Sequence, residues 1–286
     1  MNFLNSSPTF RLLNSSTLVA FSGALRLHIA FLFAGIETKI PVYLSIGLVI
    51  YSVYTLDRAL DSEEDVINRS ELTGANRNIA IFTSIIAFFA GALIFAGEKI
   101  YFASFFPFVV GYLYSKGIKA GKFQIKLKGG MGVKNIVIGM TWGGTIASIV
   151  AQWSENIFTD FSIFLFFFMK LFINSVLYDF KDIQGDTSAG IRTLPVYFGK
   201  DIVRKILFEL SLILHCFMIL AFWIGFIRLE PIILSYSFIV MIISIYYISA
   251  FEAHGHGIRK YSREVLIDAE STIALVLRSI IIFQFL

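Results

Sequence analysis

The sequence predicts an all-α multi-pass membrane protein, with about nine transmembrane helices in two four-helix halves around a central cavity. Three observations predict it. First, the 286 residues are 57% hydrophobic before glycine is counted, whereas a soluble domain reaches about 45–50% with glycine included. Second, charged residues make up only 15%, against about 25% in a soluble domain. Third, the apolar residues fall in nine runs near the length of about 20 residues that spans a bilayer. Too little polar surface is left for a soluble enzyme, a disordered chain or a disulfide scaffold. Thirty-one Phe against five Pro fit long, uninterrupted helices.

The elements follow in chain order, within a single transmembrane domain covering 1–286. A polar segment, 1–16, comes first. The first apolar run, 17–36, is too long for a signal-peptide core and contains Arg26. The others are 40–56, 79–97, 100–115, 134–152, 157–178, 203–226, 230–250 and 265–285. Each is continuously apolar, as a helix in lipid must be, and none alternates as a membrane strand would. Nine spans put the N-terminus and the loops after the even-numbered spans on one side, with 18 Lys and Arg against 3 on the other. That asymmetry makes the N-terminal side cytoplasmic. The basic loops fit topology and phosphate binding, and no nucleic-acid partner is expected.

The acids gather in two short stretches, both on the cytoplasmic side. Asp57, Asp61 and Asp65 follow the second span, and Asp179, Asp182 and Asp186 follow the sixth. Residues four apart on a helix drift by only about 40°, so Asp57, Asp61 and Asp65 form one stripe and Asp182 and Asp186 another. Like charges at that spacing repel. Five of them, Asp57, Asp61, Asp65, Asp182 and Asp186, therefore call for a counter-charge. Mg²⁺ suits carboxylate oxygens and bridges readily to phosphate. Each stripe closes the second helix of a four-helix set, with Asp186 lying 125 residues after Asp61. That spacing suggests two similar halves facing one cavity.

Other polar residues lie within the apolar runs. Arg26 and His28 in the first are placed to meet a polar head group, and Asn174 lies two turns before Asp182. Asp268, Glu270 and Arg278 are expected to form compensating pairs, and Lys170 to snorkel outward. Gly143 and Gly144 are expected to allow close helix packing. His254 and His256, two apart, point to different helix faces and are not expected to bind metal.

With these acids in place, the chain resembles the UbiA superfamily of intramembrane prenyltransferases. That superfamily carries N-D-x-x-D-x-x-x-D after its second helix and D-x-x-x-D after its sixth. Here the first motif reads Asp57-x-x-x-Asp61-x-x-x-Asp65, with Asp57 where the family has Asn and Arg58 at the following acidic position. The second reads Asp182-Ile183-Gln184-Gly185-Asp186 and continues through Thr193-Leu194-Pro195-Val196 to Gly199. The segment from Tyr114 through Lys128 to Asn135 is similar to the family's basic third region, more loosely.

The resemblance implies Mg²⁺-dependent transfer of an isoprenyl chain from its diphosphate to a lipophilic acceptor inside the membrane. It implies Asp57, Asp61, Asp182 and Asp186 as catalytic residues, with Asp65 joining them as a metal ligand. Arg58, Lys116, Lys119, Lys128, Lys181 and Arg192 become diphosphate-binding cations. Arg26, His28, Tyr114, Asn135, Asn174 and Asp179 line the substrate cavity. The aromatic faces of Phe166, Phe167, Phe168, Phe172, Phe105 and Phe106 are candidates to face an allylic cation. Two other readings stay open. One is a terpene cyclase, which ionises the diphosphate without an acceptor. The other is a non-enzymatic ion-binding transporter or scaffold, against which the interfacial position of the acids weighs. The acceptor itself stays open, since the superfamily's acceptors run from quinone precursors to haem and archaeal glycerol lipids.

Overall fold

A computed structural model describes residues 7–60, 74–120, 123–125, 131–188, 192–250 and 264–285. The helices are α1 (Pro8–Ser15), α2 (Thr17–Ala34), α3 (Ile40–Ala59), α4 (Arg77–Gly97), α5 (Phe102–Ser115), α6 (Val133–Val150), α7 (Ile157–Ser188), α8 (Leu194–Phe198), α9 (Lys200–Ile224), α10 (Pro231–Ala250) and α11 (Glu270–Phe285). A π-helical turn, Glu264–Asp268, precedes α11. Every expected apolar run falls on a helix. Among the described residues seven helices are long and apolar enough to cross a membrane. The fourth and ninth runs form shorter helices of 14 and 16 residues. The protein is an integral multi-pass membrane protein.

Three features depart from the sequence reading. The polar segment contains a helix, α1, capped by Ser7, whose Oγ accepts from the Phe10 amide at 3.3 Å. Its Leu12 packs against Ala59 and Ala80, so a polar stretch still anchors through one apolar residue. The basic loop after α5 holds a two-stranded hairpin, β1 (Ile118–Ala120) and β2 (Phe123–Ile125), antiparallel with Lys119 opposite Gln124. The third is the length of α7. Its 32 residues extend for about 48 Å, past a hydrocarbon core of about 30 Å. The helix therefore carries Asp179, Asp182 and Asp186 beyond the apolar run without a break.

The chain divides into two compact units. Unit 1 comprises 1–24 and 39–128, and unit 2 comprises 25–38 and 129–286. Lipid offers no hydrophobic drive for helix pairing, so packing and internal hydrogen bonds must supply it. In unit 1, α3 and α4 meet through small residues. Ser45 donates to the Gly91 carbonyl at 2.5 Å, and Ser84 to the Ser52 carbonyl at 2.9 Å. In unit 2, α6 lies against α7 at Gly139 and Gly143. A Cβ on Gly143 would lie 2.8 Å from the Phe168 backbone nitrogen, whereas one on Gly144 would meet nothing. The expected role in close packing thus belongs to Gly143, with Gly139 beside it, and not to Gly144. The core of unit 2 joins α7, α9 and α10 through Ile173, Leu177, Leu207, Met241 and Ile245.

Ion pairs also stitch unit 2 inside the membrane. Lys170 on α7 is buried and bonds Glu270 on α11 at 2.5 Å and Ser237 on α10 at 2.9 Å. The outward snorkel expected of Lys170 is corrected by this geometry. A carboxylate 100 residues away neutralises the ammonium in place, so it has no need of the interface. Arg278 holds Glu230 through two bonds, at 2.5 and 2.7 Å. Asp268 accepts from the Tyr178 hydroxyl at 3.1 Å. Glu270 and Arg278 each meet an opposite charge outside α11, Lys170 on α7 and Glu230 just before α10, while Asp268 takes the Tyr178 hydroxyl of α7.

Candidate active site

Unit 2 builds its acidic site on the last turns of α7. Asp179, Asp182 and Asp186 follow one another at spacings of three and four, which places them along one helix face. Asp179 is only 2% exposed, and both of its oxygens are occupied. Lys134 lies 2.6 Å from Oδ1, and the Asn135 amide donates to Oδ2 at 3.0 Å. The second hydrogen of that amide goes to Ser175 Oγ, also at 3.0 Å. Lys134 and Asn135 are brought here by the first turn of α6, which starts after Gly132 in the left-handed conformation, φ +73°.

Further along α7, Asp182 is half-buried and Asp186 is buried. Asp186 Oδ2 has no hydrogen-bond partner among the described atoms. Burial pushes the Asp186 carboxyl above the ordinary carboxylate range. Lys134 and the Thr193 hydroxyl oppose that shift, and Asp182 adds to it. Asn174 is buried two turns below Asp182, and its Nδ2 is unpartnered among the described atoms. Arg192 is exposed.

Unit 1 presents a different arrangement at the end of α3. Asp57 is half-buried and accepts from Ser115 Oγ, at the end of α5, at 2.6 Å. Arg58 donates to the buried Ser16 Oγ at 2.6 Å and lies over the Tyr54 ring at 5.9 Å. Thr55 donates to the same oxygen at 2.9 Å, so Ser16 ties the junction of α1 and α2 to α3. The neighbouring Lys116 is exposed and Tyr114 is half-buried. Asp61, Asp65 and Lys128 lie outside the described residues, as do the side chains of Lys119 and Lys181.

The donor set suits a hard cation. It offers carboxylate oxygens, one of which, Asp186 Oδ2, is unpartnered among the described atoms. Among the described residues no three acids, histidines or cysteines converge on one point. Such a site suits Mg²⁺, which takes one or two carboxylates and completes its shell with water and substrate phosphate.

A family model described as the UbiA prenyltransferase family matches residues 16–256. The chain belongs to that family. Solved structures share its fold. A UbiA homologue from Archaeoglobus fulgidus bound to GPP and Mg²⁺ has a TM-score of 0.64 at 18% identity, covering 96% of this chain and 97% of that one. A UbiA homologue from the same organism bound to DMAPP and Mg²⁺ gives 0.60 at 18%, covering 94% and 99%. A structure described as digeranylgeranylglyceryl phosphate synthase in membranes gives 0.59 at 18%, covering 94% of each chain. No curated protein matches the sequence.

Several polar partners in this UbiA-family chain escaped the sequence reading. Lys134 read as one more topological charge, although it immediately precedes Asn135, a polar residue opening an apolar run. Ser16, Ser115 and Ser175 are each the contact of a predicted residue, and nothing in their spacing marks them. Arg26 and His28 sit half-buried on α2 within unit 2. Of the expected aromatic lining, Phe166 and Phe167 are core residues. Phe168 seats against Gly139 and Gly143, and Phe105 is exposed.

Proposed function

We propose that this protein transfers an isoprenyl group from its diphosphate to a lipophilic acceptor in the membrane, using Mg²⁺. Its N-terminus and both acidic stretches would lie on the cytoplasmic side. Family membership over 16–256 supports the reaction class, and the 18-to-3 distribution of Lys and Arg supports the orientation. The relatives bound to GPP or DMAPP with Mg²⁺ support the substrate class and the cation. The observation that carries the reading is the Asp182/Asp186 pair, one turn apart on a helix that outruns the apolar zone, with a buried, unpartnered oxygen on Asp186.

Asp182 and Asp186 are the metal ligands of unit 2. Asp57, Asp61 and Asp65 are the corresponding ligands of the first stretch. When bound, Mg²⁺ offsets the charge that develops on the departing diphosphate. N–H donors for diphosphate oxygens come from Arg58, Lys116, Lys119 and Lys128 in unit 1 and from Lys181 and Arg192 in unit 2. Arg26, His28 and Asn174 are the polar residues that unit 2 offers the reacting groups, and Tyr114 is the one that unit 1 offers. The allylic C–O bond breaks, and its electron pair leaves with diphosphate. The acceptor forms the new bond at that carbon and gives up a proton.

The test is diphosphate release by the purified protein in bilayers, supplied with isoprenyl diphosphates of several lengths. Release that needs Mg²⁺, yields a prenylated acceptor and disappears in Asp186→Ala supports the reading. Release without any acceptor favours cyclisation or hydrolysis instead. No release under any condition, in native protein and variant alike, removes the enzymatic reading.

A further inference from the structure

We propose that Lys134 is a diphosphate-binding residue and that Asp179 is the positioning residue that aims it. This rests on the function proposed above. Three features of unit 2 lead to it. The first is a conflict of local preference. Lys134 stands in the first turn of α6, where the helix dipole disfavours a cation and no side chain caps the end. Sequences break local rules of this kind mainly at functional sites.

The second is the asymmetry of the Lys134–Asp179 pair. The Asp179 side chain is 3% exposed and that of Lys134 is 21% exposed. Lys134 and Asn135 each engage one oxygen of the carboxylate, so both Asp179 oxygens already hold a donor. The ammonium has three donors, and Asp179 takes one of them. Among the described residues the other two donors have no partner, and the Lys134 side chain keeps its 21% exposure beside the buried Asp179.

The third is proximity to the proposed ligands. Asp179, which Lys134 holds at 2.6 Å, precedes Asp182 by less than one turn on the same helix, and Lys134 opposes the rise that burial imposes on the Asp186 carboxyl. An anion held at Asp182 and Asp186 through a divalent cation would bring its oxygens to the free donors of Lys134. Asp179 does not touch that anion. It acts by fixing the lysine, and it takes Asn135 along through the same carboxylate.

Pyrophosphate and Mg²⁺ are the probes, with binding measured calorimetrically on the full chain in detergent at neutral pH. Lys134→Ala should weaken Mg²⁺-dependent pyrophosphate binding roughly tenfold or more. Mg²⁺ binding without pyrophosphate should hold or tighten, because a repelling cation has gone. Lys134→Arg should recover most of the pyrophosphate affinity. Asp179→Asn should weaken pyrophosphate in the native background and change nothing further in the Lys134→Ala background. The double variant also removes the unpaired buried charge, so it guards against misfolding of Lys134→Ala. Native-like pyrophosphate binding by Lys134→Ala overturns the proposal. So does equal loss of both probes without recovery by Arg, which would make the pair purely structural. If the native protein itself binds no pyrophosphate with Mg²⁺, the proposed function falls and this inference falls with it.

Discussion

The acidic ends of α3 and α7 share the same four-residue spacing, yet they are built differently. Asp57 in unit 1 is half-buried and takes a hydroxyl, while its neighbour Arg58 donates to Ser16. Asp179 in unit 2 is buried and takes an ammonium and an amide, and Asp186 beyond it keeps an oxygen unpartnered. The interiors differ in the same sense. Hydroxyl and glycine contacts join α3 to α4, whereas Lys134–Asp179, Lys170–Glu270 and Arg278–Glu230 run through unit 2. Equal spacing therefore does not make equal sites. What the neighbouring helices present to each carboxylate decides its charge, its exposure and its freedom to bind.

The sharpest way to break this comparison is to neutralise one acid in each unit. Asp186→Asn should lower kcat by about three orders of magnitude, since it removes a ligand to the charge-stabilising cation. Asp57→Asn keeps the shape and a hydrogen-bonding oxygen for Ser115, and it should cost less than about tenfold. Initial rates of diphosphate release check both. Equal losses would mean that the two acids do the same work despite their different surroundings.

The interiors can be compared through stability. Lys170→Met strands Glu270 in the membrane and should destabilise the protein by about 3 kcal/mol, most of which returns in Lys170→Met/Glu270→Gln. Ser52→Ala in unit 1 removes the contact between the Ser52 and Ser84 hydroxyls, 3.2 Å, leaves the Ser84 bond to the Ser52 carbonyl in place, and should cost below about 1 kcal/mol. Unfolding in mixed micelles reads both. A Ser52→Ala cost as large as that of Lys170→Met would erase the distinction between the two kinds of interior.

A smaller effect sharpens the account of α6 against α7. Gly143→Ala forces a Cβ onto the Phe168 backbone nitrogen, 2.8 Å away, and should cost about 2 kcal/mol. Gly144→Ala enters open space and should stabilise the helix by up to about 1 kcal/mol. Opposite signs at adjacent residues in the same unfolding assay are the expected result.

These contrasts also show what the sequence could and could not disclose. Continuous apolar runs locate helices, because lipid forces the backbone to pair internally, so each expected run fell on a helix. The i, i+4 spacing of Asp182 and Asp186 fixed their common face as soon as α7 proved continuous. Partners distant in sequence were not legible. Glu270 lies 100 residues from Lys170, and Asp179 lies 45 from Lys134. Without those partners, an intramembrane lysine reads as a snorkelling charge and a loop-end lysine as a topology signal. The helix in the polar N-terminal segment escaped for a related reason. It rests on one buried leucine, Leu12, and on the hydroxyl of Ser16, which a hydropathy pattern counts as solvent-facing.

The smallest expected effect is a shift in a pH profile, and its sign follows from the surroundings of Asp186. Burial raises the pKa of this carboxyl, Asp182 raises it further, and Lys134 and Thr193 pull it down. Mg²⁺ needs the ionised form. On acidification, Mg²⁺ affinity should therefore begin to fall above the ordinary carboxylate range. Lys134→Met removes an opposing cation and should move that midpoint up, whereas Asp182→Asn removes a like charge and should move it down. The linkage to folding has the opposite sign to that of a salt-bridged acid. Without metal, the ionised Asp186 counts against the folded state at neutral pH. Stability contributed through this group rises as pH falls from the raised folded value into the ordinary carboxylate range. Calorimetric Mg²⁺ titrations across that window, paired with metal-free unfolding, measure both slopes. A midpoint in the ordinary range that neither substitution moves would make the end of α7 no more buried in effect than the end of α3.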